Sequence, residues 1–369
     1  MAAIAAPITA QIPQLRPLNI VRDLPGVADL VEKCFADTMD ADGRNYIQQM
    51  RRAGQDNVFM RWASSAVETA SMPLSGYIWE ENGDIIGNVS LIPYRRARKK
   101  IYLIANVAVR PEYRNRGIGR ALTLAAMQHA KQRRTDETWL HVRDDNPGAI
   151  ELYHSLGFVD VVRRTTWQAQ PDRNASVVVP VPARGVVVPV PARGVVVPVP
   201  AKQSRFLHGA RGAGSLGILV TRRIARDWPA QETWLRRLYP DLLTWYQPIP
   251  WNSLRPGLGP ALYRFMSDYD VRHWVARTDS LPSAVVSWQA MAGRNNRLWV
   301  AVPPEGNAGI LTALLLHARH ELFRREKINL DFPAGQYNAS IEAAGFHPHR
   351  TLLWMKSNET SPDENRKSI

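Results

Sequence analysis

The sequence has few of the features that mark secreted, metal-binding or membrane proteins. Its 369 residues include one cysteine, Cys34, which excludes a disulfide framework and a multi-cysteine metal site. Cys34 lies in a predicted helix, VEKCFA, where a free cysteine is typical of a small buried hydrophobe. No apolar run approaches the roughly 18 residues of a membrane span. The N-terminus is apolar but lacks a basic start and is broken by prolines, so we predict a flexible arm over 1–17 and a cytoplasmic protein.

Acidic residues are also scarce relative to basic ones. Lysine and arginine total 47 against 33 aspartates and glutamates, which gives a formal net charge of +14 and a pI of about 10.2. A positive field favours anionic ligands such as a nucleotide cofactor, an acidic substrate or nucleic acid. The same charge also fits a protein in which it affects only solubility, so charge alone does not choose a function.

The chain is long enough for two domains, and a repeat in its middle predicts where they meet. VVVPVPARG at 177–185 recurs at 186–194 and, as VVVPVPAKQ, at 195–203. Alternate prolines remove amide donors, so we predict an extended, polyproline-like linker, with a valine-rich docking strand as the alternative. The predicted boundaries are an arm over 1–17, a catalytic domain over 18–170, a linker over 171–205, a second domain over 206–356 and a disordered tail over 357–369.

Hydrophobic patterning in the first half alternates between strands and helices. LNIVRD is predicted as a strand and LPGVADLVEKCF as a helix, and a second helix runs through YIQQMRRAG. Asn82 and Gly83 mark the tight turn of a hairpin. KKIYLIANVAV is a strand, RGIGRALTLAAMQHAKQR a helix of 3.6-residue period, TWLHV a strand, PGAIELYHSL a helix and GFVDVVRRTTWQ a closing strand. This order predicts an α/β fold with a mixed sheet.

The most informative run is IANVAVRPEYRNRGIGRAL, at 104–122. A strand ends at Val109, and Gly117 and Gly119 lead directly into a helix without a Cβ to obstruct a close turn. The first amides of that helix have no intrahelical partner and lie at the positive end of its dipole. Three arginines add charge: Arg114, Arg116 and Arg120. The run predicts a diphosphate cradle, and a plain glycine-bearing turn is the alternative.

A second motif follows on the next strand and helix. NPGAIELYHSLGF carries Asn146, Ala149, Tyr153, Gly157 and Phe158 in the pattern N-x-x-A-x-x-x-Y-x-x-x-G-F. Together with the strand–RxxGxG–helix run, this pattern resembles the GNAT acyltransferase family over roughly residues 18–168. The resemblance implies a mixed, twisted sheet with helices on both faces, whose central strands splay apart around acyl-CoA.

The resemblance also implies a role for each matching residue. The strand backbone at Val107, Ala108 and Val109 would pair with the pantetheine arm, and the Val107 amide would bond the developing oxyanion. Asn146 would bond the CoA arm through its amide, and the Tyr153 hydroxyl would protonate the leaving thiolate. The diphosphate would be held by backbone amides of the loop formed by Arg114, Asn115, Arg116, Gly117, Ile118, Gly119 and Arg120.

The base that would deprotonate the attacking amine is not evident. For a lysine-like pKa of about 10.4, losing the proton costs on the order of 5 kcal/mol at pH 7. Many GNAT enzymes use a glutamate on a central strand or a water chain, but this strand carries Asn106 and no acid within IYLIANVAV. His141, on the following strand, is the candidate base through a water relay, and a packed strand histidine is the alternative.

The second half echoes the first without its site chemistry. RLWVAV at 297–302 echoes ANVAV, and NLDFPAGQYNASIEAAGF echoes WLHVRDDNPGAIELYHSLGF. This alignment places Ala334 opposite Asn146 and Ile341 opposite Tyr153, and the loop before the helix has no arginine. We therefore predict two GNAT-like folds in tandem, the second a degenerate copy that shapes the acceptor pocket.

These observations predict an N-acyltransferase without a metal ion. It would move an acetyl group from acetyl-CoA, as co-substrate, to a primary amine of a small molecule or peptide by direct attack in a ternary complex. One alternative is an acyl-CoA-binding sensor without turnover, which the missing strand carboxylate supports. The other is a nucleic-acid-associated protein, whose RNA affinity would fall steeply with salt.

Overall fold

The computed structural model describes residues 12–36, 39, 41–53, 75–170, 195–197, 218–266, 269–278, 280–291, 296–322 and 327–358. The chain forms two compact units, unit 1 with residues 1–162 and 352–369 and unit 2 with residues 163–351. None of the described helices is long and apolar enough to cross a membrane.

The strands and helices of both units are numbered here in chain order. The strands are β1 (Leu15–Pro17), β2 (Ser75–Glu81), β3 (Asp84–Arg96), β4 (Lys99–Val109), β5 (Glu137–Arg143), β6 (Phe158–Ala169), β7 (Val195–Val197), β8 (Ile218–Arg222), β9 (Tyr269–Thr278), β10 (Leu281–Met291), β11 (Asn296–Ala301), β12 (Ile328–Pro333) and β13 (His347–Ser357). The helices are α1 (Ile20–Phe35), α2 (Ala41–Ala53), α3 (Ile118–Gln132), α4 (Pro147–Ser155), α5 (Trp228–Leu238), α6 (Trp251–Leu254), α7 (Leu258–Met266), α8 (Ala308–Glu321) and α9 (Asn338–Ala343).

The sheet of unit 1 runs in the order β1-β2-β3-β4-β5, with residues 352–356 of β13 against β5. Among the described strands of unit 1, only the β4–β5 pair is parallel. One core lies beneath α3 and includes apolar residues of β3, β4, β5 and α4. A second core lies beneath α1 and α2, on the opposite face of the sheet. The two faces are therefore covered by different helices.

Most of the predicted elements of unit 1 are confirmed. Asn82 and Gly83 have φ values of 53° and 84°, as the type I′ turn of the β2–β3 hairpin requires. The predicted strand KKIYLIANVAV coincides with β4. Cys34 lies inside α1, where its Sγ donates to the Val109 carbonyl at 3.3 Å, and burial raises the pKa of the thiol.

The prediction of a strand at LNIVRD is wrong, because these residues begin α1. Asn19 is the N-cap, and its side chain accepts a hydrogen bond from the Arg22 amide at 3.2 Å. The Asp23 carboxylate in turn accepts from the Asn19 amide at 2.7 Å. This reciprocal capping satisfies two amides at the helix start and outweighs the apolar alternation that suggested a strand.

Unit 2 repeats the strand and helix order of unit 1. Its sheet runs β12-β11-β10-β9-β8-β7, and residues 164–169 of β6 pair with β12 on the other edge. The β11–β12 pair is parallel, like β4–β5. Its core includes the fully buried side chains of Trp167, Trp288, Phe332 and Phe346. The predicted mixed α/β fold, built twice along the chain, is confirmed.

The division into units falls inside β6 and β13. Unit 1 contains residues 352–356, where Leu353 and Met355 are fully buried in the core beneath α3. Unit 2 contains residues 163–169, where Trp167 and Ala169 are buried. The sheet of unit 1 thus includes a strand segment that lies far away in sequence from the rest of that unit. The boundaries predicted from composition stay predictions.

One segment of the valine–proline repeats is described. Val195–Val197, at the start of the third copy, form β7 and pair antiparallel with residues 218–220 of β8. This pairing corresponds to the docking-strand alternative for those three residues. The other repeat residues, the N-terminal 1–11 and the tail from 359 lie outside the described residues, so the linker, arm and tail predictions are not tested there.

Candidate functional site

A gap opens between the two parallel strands at the centre of unit 1. β4 and β5 pair over residues 101–104 and 137–140, and among the described residues this pairing stops there. β5 continues to pair on its other edge, with residues 352–356. The carboxyl-terminal parts of β4 and β5 therefore separate, as the family resemblance implies. Ligands of α/β proteins commonly bind where neighbouring strands part in this way.

A β-bulge lies in the part of β4 that no longer pairs with β5, where β4 pairs with β3. Ser90 of β3 faces Ala105 and Asn88 faces Ala108, so Asn106 and Val107 together face one residue of β3. Asn106 has a φ of 51°, which is uncommon for a residue other than glycine. The extra residue changes which side chains point to which face of β4.

The change of face brings Val107 and Val109 to the core beneath α3. Before the bulge, Tyr102 and Ile104 pack in that core, and strict alternation would turn Val107 to the other side. After the bulge, Val107 and Val109 pack against it, and Ala108 joins the core beneath α1. The bulge therefore changes which side chains face the α3 core within the stretch that is predicted to bind pantetheine.

A side chain on β3 fixes the orientation of the bulged peptide. The Asn88 Nδ2 group donates to the Asn106 carbonyl at 3.0 Å. Because the trans peptide is planar, the Val107 N–H points the opposite way from that carbonyl. The Val107 amide thus points away from Asn88, which is the orientation that the predicted oxyanion donor needs.

The helix after β4 begins without a side-chain cap. Its N-cap is Gly117, with a φ of 77° that favours glycine. The first intrahelical bond runs from the Ala121 amide to the Gly117 carbonyl at 3.0 Å, so the amides of the preceding turn lack intrahelical acceptors. A Cβ on Gly117 would meet nothing within 4 Å. This turn therefore presents amides to open space at the positive end of α3.

The three arginines of the turn are anchored by local contacts. Arg114 donates to the carbonyl of Val109 at 3.3 Å, and Arg116 donates to the carbonyl of Glu112 at 3.4 Å. Arg120 donates to Ser155 Oγ, at the end of α4, at 2.8 Å. These guanidinium groups are exposed and add positive charge beside the open amides.

Asn146 is the N-cap of α4. Its Oδ1 accepts from the Ala149 amide at 3.2 Å, which leaves the Nδ2 group as the donor without a partner among the described residues. The residue is exposed. The predicted contact with the CoA arm would use this Nδ2 group, while capping holds the side chain in place.

Tyr153 lies in the last turn of α4, and its ring packs edge-on against Phe158 with centroids 6.1 Å apart. The residue is 6% exposed, and its hydroxyl has no hydrogen-bond partner within the described part of the chain. Burial raises the pKa of Tyr153 to about 12. The phenol is therefore protonated at neutral pH and can act as a donor.

His141 lies on the opposite face of the sheet from Val107 and Tyr153. Its neighbours Leu140 and Val142 pack in the core beneath α3, so alternation turns His141 to the other side. There its ring lies 4.8 Å from that of Trp354, its register partner on β13. The structure thus groups Val107, the α3 turn, Asn146 and Tyr153 on one face and leaves His141 on the other.

The buried carboxylate of Glu137, on β5, is not arranged as a base. Glu137 begins β5, at the paired end of the strands, and accepts hydrogen bonds from Lys99 at 2.7 Å and Trp139 at 2.9 Å. Burial alone would raise its pKa, but these bonds outweigh burial and hold the pKa below its ordinary value. Glu137 is therefore ionised and committed to structural contacts.

A separate cleft of about 490 Å³ lies between α1 and the β2–β3 turn. Charged residues line it, and they pair with one another: Arg16 with Asp23 at 2.7 Å, and Arg110 with Asp84 at 3.3 Å. This mutual pairing leaves the cleft without a charge that would select a ligand. In the described part of the chain, no group of three or more His, Cys, Asp or Glu side chains could hold a metal ion.

The corresponding helix start in unit 2 is closed by its own side chain. α8 has Asn307 as its N-cap, and the Asn307 Oδ1 accepts from the amides of Gly309 at 2.8 Å and Ile310 at 3.2 Å. The amides at the second and third positions of α8 are therefore satisfied, whereas those at the same positions of α3 have no side-chain cap. Ile341, which the sequence aligns with Tyr153, is fully buried and apolar.

The strand that corresponds to β4 is also different in unit 2. β10 and β11 pair in unbroken register, with Val285 opposite Ala301 and Ser287 opposite Trp299, so there is no bulge. The Val300 amide, which aligns with that of Val107, donates to the Tyr239 hydroxyl at 3.2 Å. Tyr239 is buried, and burial raises its pKa to about 12. In unit 2 an internal side chain thus accepts from the amide that corresponds to the Val107 amide of unit 1.

Sequence reasoning missed two features, one in the site of unit 1 and one at the corresponding helix start of unit 2. Asn88 stands out in IIGNVSLI as a polar residue in an apolar strand, which is the signal that could have indicated its role. Asn307, directly before the apolar run of α8, has the position of an N-cap. The pairing of Asn88 with the Asn106 carbonyl could not be found from either strand alone.

Comparison with known proteins identifies the first half of the chain. Residues 41–158 match the Acetyltransferase (GNAT) family. A mycothiol acetyltransferase of Thermobispora bispora is 48% identical over 62 residues, which are 16% of this chain and 21% of that protein. The ribosomal protein bS18–alanine N-acetyltransferase of Escherichia coli is 36% identical over 78 residues, 21% of this chain and 53% of that protein. The chain thus spans about half of these relatives' length or less.

A solved structure extends the likeness to both units. A GCN5-related N-acetyltransferase from Sphaerobacter thermophilus has a TM-score of 0.50 at 13% identity, over 94% of this chain and 96% of that one. At this identity the likeness concerns the fold alone. Residues 41–158 are therefore similar to the Acetyltransferase (GNAT) family, and the likeness in fold extends over both units.

Proposed function

We propose that unit 1 transfers an acetyl group from acetyl-CoA to a primary amine of a small molecule or peptide, by direct attack in a ternary complex. The observation that carries the proposal is the uncapped start of α3 beside the parted ends of β4 and β5. A turn of open amides suits a diphosphate, and a gap between strands suits an extended arm with its own amide groups.

The residues on the α3 face would divide the binding between them. Amides from Gly117 to Arg120 would hold the diphosphate, and the β4 backbone from Val107 to Val109 would pair with the amide groups of the arm. Asn146 would donate its Nδ2 group to the same arm. These roles follow from the family resemblance and are consistent with the open donors at each position.

Two further groups would act during the reaction. The Val107 N–H would donate to the carbonyl oxygen as negative charge develops there, since an amide fixed in advance stabilises an oxyanion without reorganising. The Tyr153 hydroxyl would donate to the departing thiolate, and its raised pKa keeps the proton available. Each residue would therefore meet charge that appears only as the amine attacks.

The lack of a free carboxylate among the described residues of β4 bears on the acceptor. An α-amino group with a pKa of about 7.7–8.0 loses its proton at pH 7 for about 1 kcal/mol, against about 5 kcal/mol for a lysine-like amine. A central strand whose described residues carry no free carboxylate favours the first class. We therefore propose amines of low pKa as better acceptors, with water taking the proton.

The test is a thiol-release assay with acetyl-CoA and a panel of amines that pairs α-amino compounds with alkylamines of similar size. The proposal requires release above the amine-free rate with at least one amine, and faster release at pH 7 with the α-amino members. Tight binding of acetyl-CoA without release for any amine would instead support the sensor alternative.

A further inference from the structure

We infer that Asn88 is a positioning residue for the proposed reaction, because it holds the bulged peptide of β4 so that the Val107 N–H faces the thioester carbonyl. The inference rests on the proposed function and adds to it a residue that does not touch the reacting atoms. It starts from a polar side chain on a central strand that is fully buried.

The contacts of Asn88 define its orientation. Its Nδ2 group donates to the Asn106 carbonyl at 3.0 Å and to Ser90 Oγ at 3.3 Å. The Asn106 Nδ2 group also reaches Ser90 Oγ, at 3.4 Å. Because a carbonyl can only accept, the Asn88 amide nitrogen must face Asn106, which excludes the flipped orientation. The three side chains thus form a small network that contacts the bulged peptide through Asn88.

If Asn88 served only to stabilise the fold, an asparagine at this position would be a costly choice. Its Oδ1 is buried and has no hydrogen-bond partner among the residues that the structure describes. A buried acceptor without a partner destabilises the fold, and an apolar residue of similar size would avoid this cost. The neighbours of Asn88 in register are the apolar Ile78 and Ala108, both in the core beneath α1. Residues that break a packing rule in this way are expected at functional positions.

Unit 2 provides an internal comparison. At the matching register, Val285 faces Ala301 as Asn88 faces Ala108, and the strand pair has no bulge. There the amide that aligns with Val107 is bonded to Tyr239. One copy of the fold therefore has the asparagine, the bulge and an amide turned away from the asparagine. The other copy has a valine, a regular ladder and an occupied amide.

The test measures the hydrogen bond to the thioester directly. Acetyl-CoA carrying ¹³C at the acetyl carbonyl is bound to the full chain, and the carbonyl stretch is recorded by isotope-edited infrared spectroscopy. Wild type should show a stretch at lower wavenumber than free acetyl-CoA. Asn88→Val, which installs the residue of unit 2, should return the band toward its free position while the Kd for acetyl-CoA stays close to that of wild type.

Two further variants separate positioning from general loosening of the sheet. Asn106→Gly preserves the positive φ and the carbonyl and should keep the shifted band, whereas Asn106→Val disfavours that φ and should lose it. Ser75→Ala removes a hydrogen bond between Ser75 Oγ and the Leu91 carbonyl, 3.0 Å apart in the same sheet but away from the bulge, and should leave the band unchanged. With an amine from the panel, Asn88→Val should lower kcat about 10²-fold with little change in KM for acetyl-CoA.

The outcomes distinguish this inference from the proposed function. The same carbonyl band in wild type and folded Asn88→Val, with acetyl-CoA bound to both, would overturn the positioning role and leave the acetyltransferase proposal intact. Weaker acetyl-CoA binding by Asn88→Val, with the carbonyl band at its wild-type position once binding is saturated, would also overturn it in favour of a structural role. A wild-type chain that binds no acetyl-CoA would overturn both.

Discussion

Two buried tyrosines have similar environments and different contacts. Tyr153 in unit 1 and Tyr239 in unit 2 are both buried, and burial raises the pKa of each to about 12. The Tyr239 hydroxyl accepts a hydrogen bond from the Val300 amide at 3.2 Å, whereas that of Tyr153 has no partner among the described residues. Residue type and burial therefore do not separate a structural phenol from a proposed proton donor. The hydrogen-bond partner does.

We predict that Tyr153→Phe lowers turnover on the order of 10²-fold, because it removes the donor to the leaving thiolate. Acetyl-CoA affinity should change far less, since the ring and its packing remain. With a pKa of about 12, the hydroxyl keeps its proton below that pH and loses it only as the pH approaches 12. The ratio of wild-type to variant turnover should therefore be constant between about pH 7 and 10. Steady-state rates and titration calorimetry across this range measure both quantities.

Tyr239→Phe is the matched control, since it removes a buried hydroxyl from the other unit. It leaves the Val300 amide without its acceptor and should lower the free energy of unfolding by about 1–3 kcal/mol, without changing turnover by folded protein. Equal losses of turnover and acetyl-CoA affinity in Tyr153→Phe would contradict the donor role.

At the scale of elements, α3 and α8 show how one residue changes what a helix start can bind. The N-cap of α3 is Gly117, which has no side chain to satisfy the first amides. The N-cap of α8 is Asn307, which satisfies two of them. Both helices follow a central strand and an irregular turn. The open amides of α3 therefore result from a local choice of residue rather than from the fold.

We predict that Gly117→Glu lowers affinity for acetyl-CoA by about tenfold or more. A carboxylate about 4 Å from one phosphate charge costs about 1 kcal/mol in water, and a diphosphate carries more than one charge. Gly83→Glu is the matched control, because Gly83 also has a positive φ, of 84°, and open space around its Cβ position. Calorimetric titration of both variants should show the loss in Gly117→Glu alone, and equal losses would attribute the effect to strain or net charge.

At the scale of the whole molecule, the division of the chain into units does not follow the sequence order. Unit 1 needs residues 352–356, because they pair with β5 and place Leu353 and Met355 in the core beneath α3. The repeat-rich region between the halves suggests a simpler cut after residue 170. A chain cut there would keep the whole proposed site but lose the strand segment that pairs with one edge of β5.

We predict that a chain truncated after residue 170 is much less stable than unit 1 in the full protein. Losing two fully buried apolar side chains removes on the order of 5 kcal/mol, which is comparable with the entire stability of many domains. Thermal unfolding followed by circular dichroism should show the loss, and a synthetic peptide of residues 347–358 should restore part of it. An unchanged melting temperature with or without the peptide would contradict the assignment of this strand to unit 1.

Local sequence predicted much of unit 1, because the signals involved act over a few residues. The hairpin turn at Asn82 and Gly83, the helix start at Gly117 and the α/β alternation all follow from turn chemistry and periodicity. Where two local signals competed, the stronger was missed: at residues 18–23, capping by Asn19 and Asp23 prevailed over apolar alternation. The sequence also indicated that the second half has no counterpart of the arginines before α3 or of Tyr153.

The sequence by itself thus determined the fold class, the two copies and the open turn before α3, since each depends on neighbouring residues. Only the tertiary structure decided that Asn88 meets the Asn106 carbonyl and that His141 and Tyr153 lie on opposite faces. It also assigned residues 352–356 to unit 1 and turned the Tyr239 hydroxyl to the Val300 amide. The physical reason is that strand pairing and bulges join residues far apart in sequence, so neither partner carries a signal of the other.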